Sequence, residues 1–127
     1  MRYFIGNWKM FGVPKSINIL NKINLFHSKD KNRNKYRVII TPPYTLIESY
    51  AKHFKNKKIS IGSQNCYQKE QFSSNTAAVS PFMLRSVGAQ YTLVGHSDNR
   101  GEGDNDSMLN DKVKYALKNN LKVVAYT

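Results

Sequence analysis

The chain has 127 residues, with 20 Lys and Arg against 8 Asp and Glu, for a formal net charge of +12. That length suits one domain with a real core, and 40% hydrophobic against 22% charged residues is an ordinary globular balance. Cys66 is the one cysteine, which excludes an internal disulfide framework and fits a reducing compartment, and no apolar run approaches the ~18 residues of a membrane span.

The opening MRYFIGNWKM is too short and too polar for a signal peptide, so a cytoplasmic protein is expected. Tyr3 to Asn7 reads as a first strand. Pro14 suits the first turn of a helix, and Ile19, Leu20, Ile23 and Phe26 fall on one face of it. The basic run from Lys29 to Arg37 sits between apolar segments and reads as a solvated loop. Tyr36 to Ile40 is a second strand, stopped by Thr41-Pro42-Pro43 because Pro cannot continue a ladder. Ile47, Tyr50, Ala51 and Phe54 keep the spacing of an amphipathic helix. Ile59 to Ser63 is a third strand, followed by a polar loop through Ala78.

Ser80-Pro81 predicts a helix start, with Ser as N-cap and Pro at the first helical position. Met83, Leu84 and Val87 form its apolar face, and Gly88 is its stop. Tyr91 to Gly95 is a fourth strand, and HSDNRGEGDNDS reads as a long polar loop. Leu109, Val113, Ala116 and Leu117 make a fourth helix, ended by Asn119-Asn120. LKVVAYT (121–127) is a fifth strand with no helix after it. An open strand of this kind invites pairing with another chain.

Strand–helix four times and then a strand predicts an α/β fold with parallel strands and right-handed crossovers. Two layouts fit: a doubly wound open sheet, or part of a (βα) barrel. Both put functional groups at the C-terminal ends of the strands. Asn7 and Lys9 follow strand 1, Gln64 and Asn65 follow strand 3, and His96 follows strand 4 with Ser97, Asp98 and Arg100 behind it. Taken singly, a Lys there is a solvated residue and a His is a loop residue satisfied by backbone. Together they suit a small anionic substrate: Lys9 neutralises charge, and His96 donates to a carbonyl oxygen or moves a proton. There is no dinucleotide or Walker-type glycine loop, and GEGD is too weak to carry a phosphate argument. No His/Cys cluster has metal-ligand spacing. The +12 charge could draw nucleic acid, but the lysines are spread out and the aromatics read as core, so neither nucleic acid nor a membrane is expected as partner.

FIGNWKM (4–10), GSQNCY (62–67) and VGHSDNR (94–100) closely resemble triosephosphate isomerase. NTAAVSPFML (75–84) resembles a degraded form of that family's third loop and following helix, and the likeness continues to the end of the chain. The resemblance implies a partial (βα)8 barrel, about (βα)4 plus a fifth strand, as one half-barrel domain over residues 1–127. It implies interconversion of dihydroxyacetone phosphate and glyceraldehyde 3-phosphate, with no cofactor and no metal. By the same resemblance Asn7, Lys9 and His96 bind substrate, and Lys9 and His96 are catalytic. Gln64, Asn65 and Thr76 fall at the family's subunit interface.

This family is itself the standing example of a neutral catalytic His paired with a separate Glu base. That Glu, and the lid over the site, lie on the family's sixth loop, beyond the part this chain matches. The chain is therefore expected to be a truncated homologue with little or no activity alone. An alternative is a self-associating, non-catalytic half-barrel that holds a small phosphorylated ligand. A homo-oligomer through the open barrel edges is expected; a monomer would mark the chain as a fragment. Thr76-Ala77-Ala78 replaces the family's Thr-Gly-Glu, and Asn99 replaces an Arg that pairs with that Glu. Phe11 stands for a usual Asn and Tyr126 for a usual Cys, so the ordinary dimer is in doubt.

Overall fold

Short runs of β-branched and aromatic residues make five strands, and helices with one apolar stripe cover them. The computed structural model describes residues 1–126; Thr127, the last residue of the LKVVAYT segment, lies outside them. In chain order the elements are β1 (Arg2–Asn7), α1 (Ile17–Lys29), β2 (Tyr36–Thr41), α2 (Tyr44–His53), β3 (Ile59–Ser63), α3 (Pro81–Ser86), β4 (Tyr91–Val94), α4 (Ser97–Gly101), α5 (Asp106–Lys118) and β5 (Lys122–Ala125). Every strand pair is parallel, and the strand order is β1-β2-β3-β4-β5. Each strand lies beside its predecessor, so the sheet advances in one direction without the reversal of a doubly wound sheet. Of the two layouts, the barrel wall is the one formed: a curled half-barrel.

The core fills the space between sheet and helices. Leu20 from α1, Leu46, Ile47 and Tyr50 from α2, Leu84 from α3 and Ala116 from α5 pack on Ile40, Ile59, Ile61 and Val94. Ile39 and Leu93, one position along from Ile40 and Val94, face the other side of the sheet and are also fully buried. The strands thus carry apolar side chains on both faces, as a barrel wall requires.

Four details differ from the sequence reading. Pro14–Ser16 is a separate 3-10 turn and α1 begins at Ile17, because the Ser16 hydroxyl accepts from the Val13 N–H at 3.0 Å and closes a local turn. The inward stripe of α1 runs through Leu20 and His27, while Ile19 and Phe26 are exposed; Phe26 lies toward β1, the edge strand among the described residues. On α5 the buried residues are Leu109, Lys112 and Ala116, and Leu117 faces outward. A short helix, α4, forms inside the polar run after His96. That run has no apolar periodicity to announce it; the His96 side chain and chain geometry build it instead.

Candidate active site

The first loop is held in a strained shape. Lys9 adopts φ 54°, a left-handed conformation that costs a non-glycine residue roughly 1–2 kcal/mol. Three hydrogen bonds offset that cost. The Lys9 N–H donates to Asn7 Oδ1 at 2.9 Å. Gln64 Nε2 donates to the Lys9 carbonyl at 2.8 Å and to the Thr41 carbonyl at 3.0 Å. Trp8 supports the loop from below, with its N–H donating to the Thr41 carbonyl at 3.1 Å and its ring edge-on to Tyr50. Gly12 permits this packing: it has φ 114°, and a Cβ there would sit 2.8 Å from the Trp8 ring. Asn7 and Gln64 therefore act on the backbone that carries Lys9.

His96 is set by the end of β4. Gly95 takes φ 81°, and a Cβ there would come within 3.1 Å of the Tyr126 carbonyl. The turn this allows brings His96 to the N-cap of α4. His96 Nδ1 accepts a hydrogen bond from the Asp98 backbone N–H at 3.0 Å. A backbone N–H can only donate, so Nδ1 holds a lone pair and the ring proton sits on Nε2. The Asp98 Oδ2 lies 3.6 Å from Nδ1; this is proximity, not an ion pair, because Nδ1 is already an acceptor. Tyr126 closes one side of the imidazole, edge-to-face at 5.1 Å between centroids.

The same Asp98 Oδ2 lies 3.6 Å from Lys9 Nζ, so the ammonium and the imidazole stand on either side of one carboxylate. Both Lys9 and Asp98 are more than half exposed. A pair that long and that solvated is worth little, which leaves the ammonium able to turn to an anion. Asn7, Lys9 and His96, predicted from separate strand ends, are thus gathered at one rim of the sheet. Gln64 joins them through its bond to Lys9.

Asn65 takes a different place. Its Oδ1 accepts from Lys112 Nζ at 2.9 Å, and Asp104 Oδ2 accepts from the same ammonium at 2.6 Å. The Lys112 side chain is 3% exposed and that of Asp104 11%. This buried pair ties the loop after β3, the loop after α4 and α5 together just behind the rim. The sequence reading did not single out Lys112, because nothing local to it shows that a carboxylate from the preceding loop meets it. Cys66 lies beside the pair; burial pushes its thiol up to about 11. Thr76 is exposed on the third loop, where Ala77 has φ 68°.

Among the described residues no group of three or more His, Cys, Asp or Glu could hold a metal ion, and no helix is long and apolar enough to cross a membrane.

The family model for triosephosphate isomerase matches residues 2–125. The triosephosphate isomerase of Alkaliphilus oremlandii is 32% identical over 122 residues, covering 94% of this chain and 47% of the relative. That of Caldanaerobacter subterraneus is 33% identical over 120 residues, with the same coverage of 94% and 47%. The crystal structure of triosephosphate isomerase from Bartonella henselae superposes with a TM-score of 0.89 at 28% identity, covering 98% of this chain and 50% of that one. The chain thus spans about half the length of the relatives it matches, and it belongs to the triosephosphate isomerase family, corresponding to the N-terminal half of that family's barrel.

Proposed function

We propose that this chain supplies the electrophilic half of a triosephosphate isomerase site, acting on dihydroxyacetone phosphate and glyceraldehyde 3-phosphate. The observation that carries the reading is the hydrogen bond into His96 Nδ1. It leaves Nε2–H as the donor, and a neutral imidazole donor can stabilise the oxygen of a carbonyl as it gains negative charge. In the reaction a base removes a proton from the carbon beside the carbonyl. The electron pair moves onto the carbonyl oxygen, giving an enediolate. His96 hydrogen-bonds that oxygen and Lys9 balances the substrate's negative charge. Protons are then exchanged twice: the proton on the neighbouring hydroxyl passes to the former carbonyl oxygen, and the base returns its proton to the former carbonyl carbon.

The base is the part this chain does not supply. Asp98 already faces Lys9 and His96, which fits a supporting carboxylate. Absence of a positioned base costs a factor of roughly 10²–10⁴, so the chain by itself turns over little or no substrate. A complementary half, whether on continuing polypeptide or a separate one, carries the Glu. The test is isomerisation of dihydroxyacetone phosphate by this chain alone and mixed with the C-terminal half of the Alkaliphilus oremlandii relative. Turnover appears only in the mixture and falls with His96→Asn or Lys9→Met. A mixture that forms a stable complex without turnover, or turnover that survives His96→Asn, overturns the reading.

The open edge of β1, with Tyr3 and Phe4 exposed beside it, favours a second reading: a self-associated half-barrel that holds a small phosphorylated ligand without turnover. Light scattering on the purified chain separates the two, since only the second requires a discrete homo-oligomer. The single buried thiol supports a cytoplasmic location for either.

A further inference from the structure

Every strand pair in the sheet is parallel, so all strand starts lie at one end, opposite the rim that holds Lys9 and His96. Two basic turns meet at that end. The turn before β2 carries Lys31, Arg33 and Lys35, and the turn before β3 carries Lys55, Lys57 and Lys58; all are exposed. The two turns are distant in sequence but run onto neighbouring strands at one level, since the β2–β3 ladder opens with Val38 beside Ile59. Neighbouring strands are about 4.8 Å apart. Both are inner strands, with β1 and β4 on their outer sides, so these turns lie away from the two sheet edges.

Beside the second turn, between the ends of α2 and α3, is a depression of about 580 Å³ walled in part by Lys52, Lys55 and Arg85. Arg85 is anchored there, with Nη1 donating to the Ala89 carbonyl at 3.2 Å. Lys52 pairs with Glu48 at 2.8 Å, but both side chains are more than half exposed, and a solvated pair of that kind is worth little. Asp30 and Glu48 are the acidic residues within 29–35 and 48–58. Both Asp30 oxygens are engaged, by the Tyr36 hydroxyl at 2.8 Å and the Asn32 N–H at 2.9 Å. Asp98, Glu102, Asp104 and Asp106 all follow β4, at the opposite end. The fold therefore concentrates positive charge at the strand starts.

Such a surface attracts polyanions, and its composition distinguishes between them. Residues 30–35 (DKNRNK) and 55–58 (KNKK) contain no apolar side chain. Firm attachment to a membrane surface needs buried apolar groups or a lipid chain beside the charge, whereas a nucleic acid is bound through its phosphates by charge alone. Asn32, Asn34 and Asn56, exposed among the cations, add side-chain amides of the kind that hydrogen-bond phosphate and sugar oxygens. Short turns reach backbone phosphates and not the base edges within a groove.

We propose that this end of the half-barrel is a nucleic-acid-binding face that grips the phosphate backbone of RNA or DNA without regard to sequence. It leaves the Lys9–His96 rim free, and it does not depend on the isomerase reading.

The probes are labelled oligouridylate, oligothymidylate and duplex DNA, with binding to the chain read by anisotropy across a salt series. With about six phosphates neutralised by the two turns, log K falls against log salt with a slope of about −4 on single strands and about −5 on duplex. The combined change Lys55→Gln, Lys57→Gln and Lys58→Gln weakens binding at least about tenfold and reduces the single-strand slope by about 2. The combined change Lys15→Gln, Lys69→Gln and Lys114→Gln removes the same charge from exposed positions elsewhere and weakens binding by less than about threefold. All six positions are exposed, so the circular dichroism of both variants matches that of the parent chain. A stronger grip on oligouridylate assigns RNA as the ligand, and a stronger grip on oligothymidylate or duplex assigns DNA; both keep the proposal. It is overturned by no binding at about 50 mM salt, by equal effects of the two triple variants, or by capture on phosphatidylserine vesicles without capture of any oligonucleotide.

Discussion

Replacing Asp104 by Asn leaves the Lys112 ammonium buried without its counter-charge. The side chain of Lys112 is 3% exposed, with Asp104 Oδ2 at 2.6 Å and Asn65 Oδ1 at 2.9 Å. An amide at 104 can still accept one hydrogen bond, but it cannot neutralise the charge. Stranding a buried ion costs about 3–5 kcal/mol, against a total stability of about 5–15 kcal/mol for an ordinary domain. For a chain of this size that is a fall in Tm on the order of 10–20 °C. Lys112→Met strands the Asp104 carboxylate, 11% exposed, in the same way and costs about as much, roughly 3–5 kcal/mol. Combining Asp104→Asn with Lys112→Met then recovers much of the first loss, because no buried charge remains. Urea unfolding of the four chains, followed by far-ultraviolet circular dichroism, gives the coupling directly. A loss below about 1 kcal/mol for Asp104→Asn, or strictly additive effects, refutes the claim that this pair is buried and mutually dependent.

Other consequences are simpler to check. Gln64→Leu removes both bonds that hold the Lys9 and Thr41 carbonyls, and lowers unfolding stability by about 1–3 kcal/mol. Leu20, fully buried under α1, loses about 2–5 kcal/mol as Ala, measured by the same unfolding assay. Burial raises the Cys66 thiol from an ordinary 9.0 to about 11. A raised value means the folded state holds the proton longer, so the thiol's contribution is intact below pH 9 and is lost between pH 9 and 11, by about 3 kcal/mol. Cys66→Ala flattens that part of the stability–pH curve. The same burial makes Cys66 slow with a disulfide reagent unless the chain unfolds.

The strands were legible because their apolar runs are dense, and β2 and β4 end in the marks Thr41-Pro42-Pro43 and Gly95. Helix α3 was legible from its cap, and the Ser80 hydroxyl does accept from the Met83 N–H. What the sequence concealed depends on distant partners. Lys112 is inward because Asp104 and Asn65 meet it, and His27 lies on the buried side because it falls two turns after Leu20 on one face of α1, which leaves Phe26 outside. Apolar periodicity alone would put Phe26 inside. Helix α4 depends on a side chain capping its own backbone, which hydrophobic pattern cannot register. Asn7, Lys9 and His96 were legible as strand-end residues. That Lys9 is strained, and that Gln64 holds it, required the fold.

The most direct test of the central claim is the tautomer of His96, read by long-range proton–nitrogen NMR of the labelled chain near neutral pH. The account predicts a bare Nδ1 and a protonated Nε2, unchanged in Ser97→Ala. Protonation at Nδ1, or a ring carrying both protons, would contradict it, because His96 would then lack the neutral donor that the proposed chemistry requires.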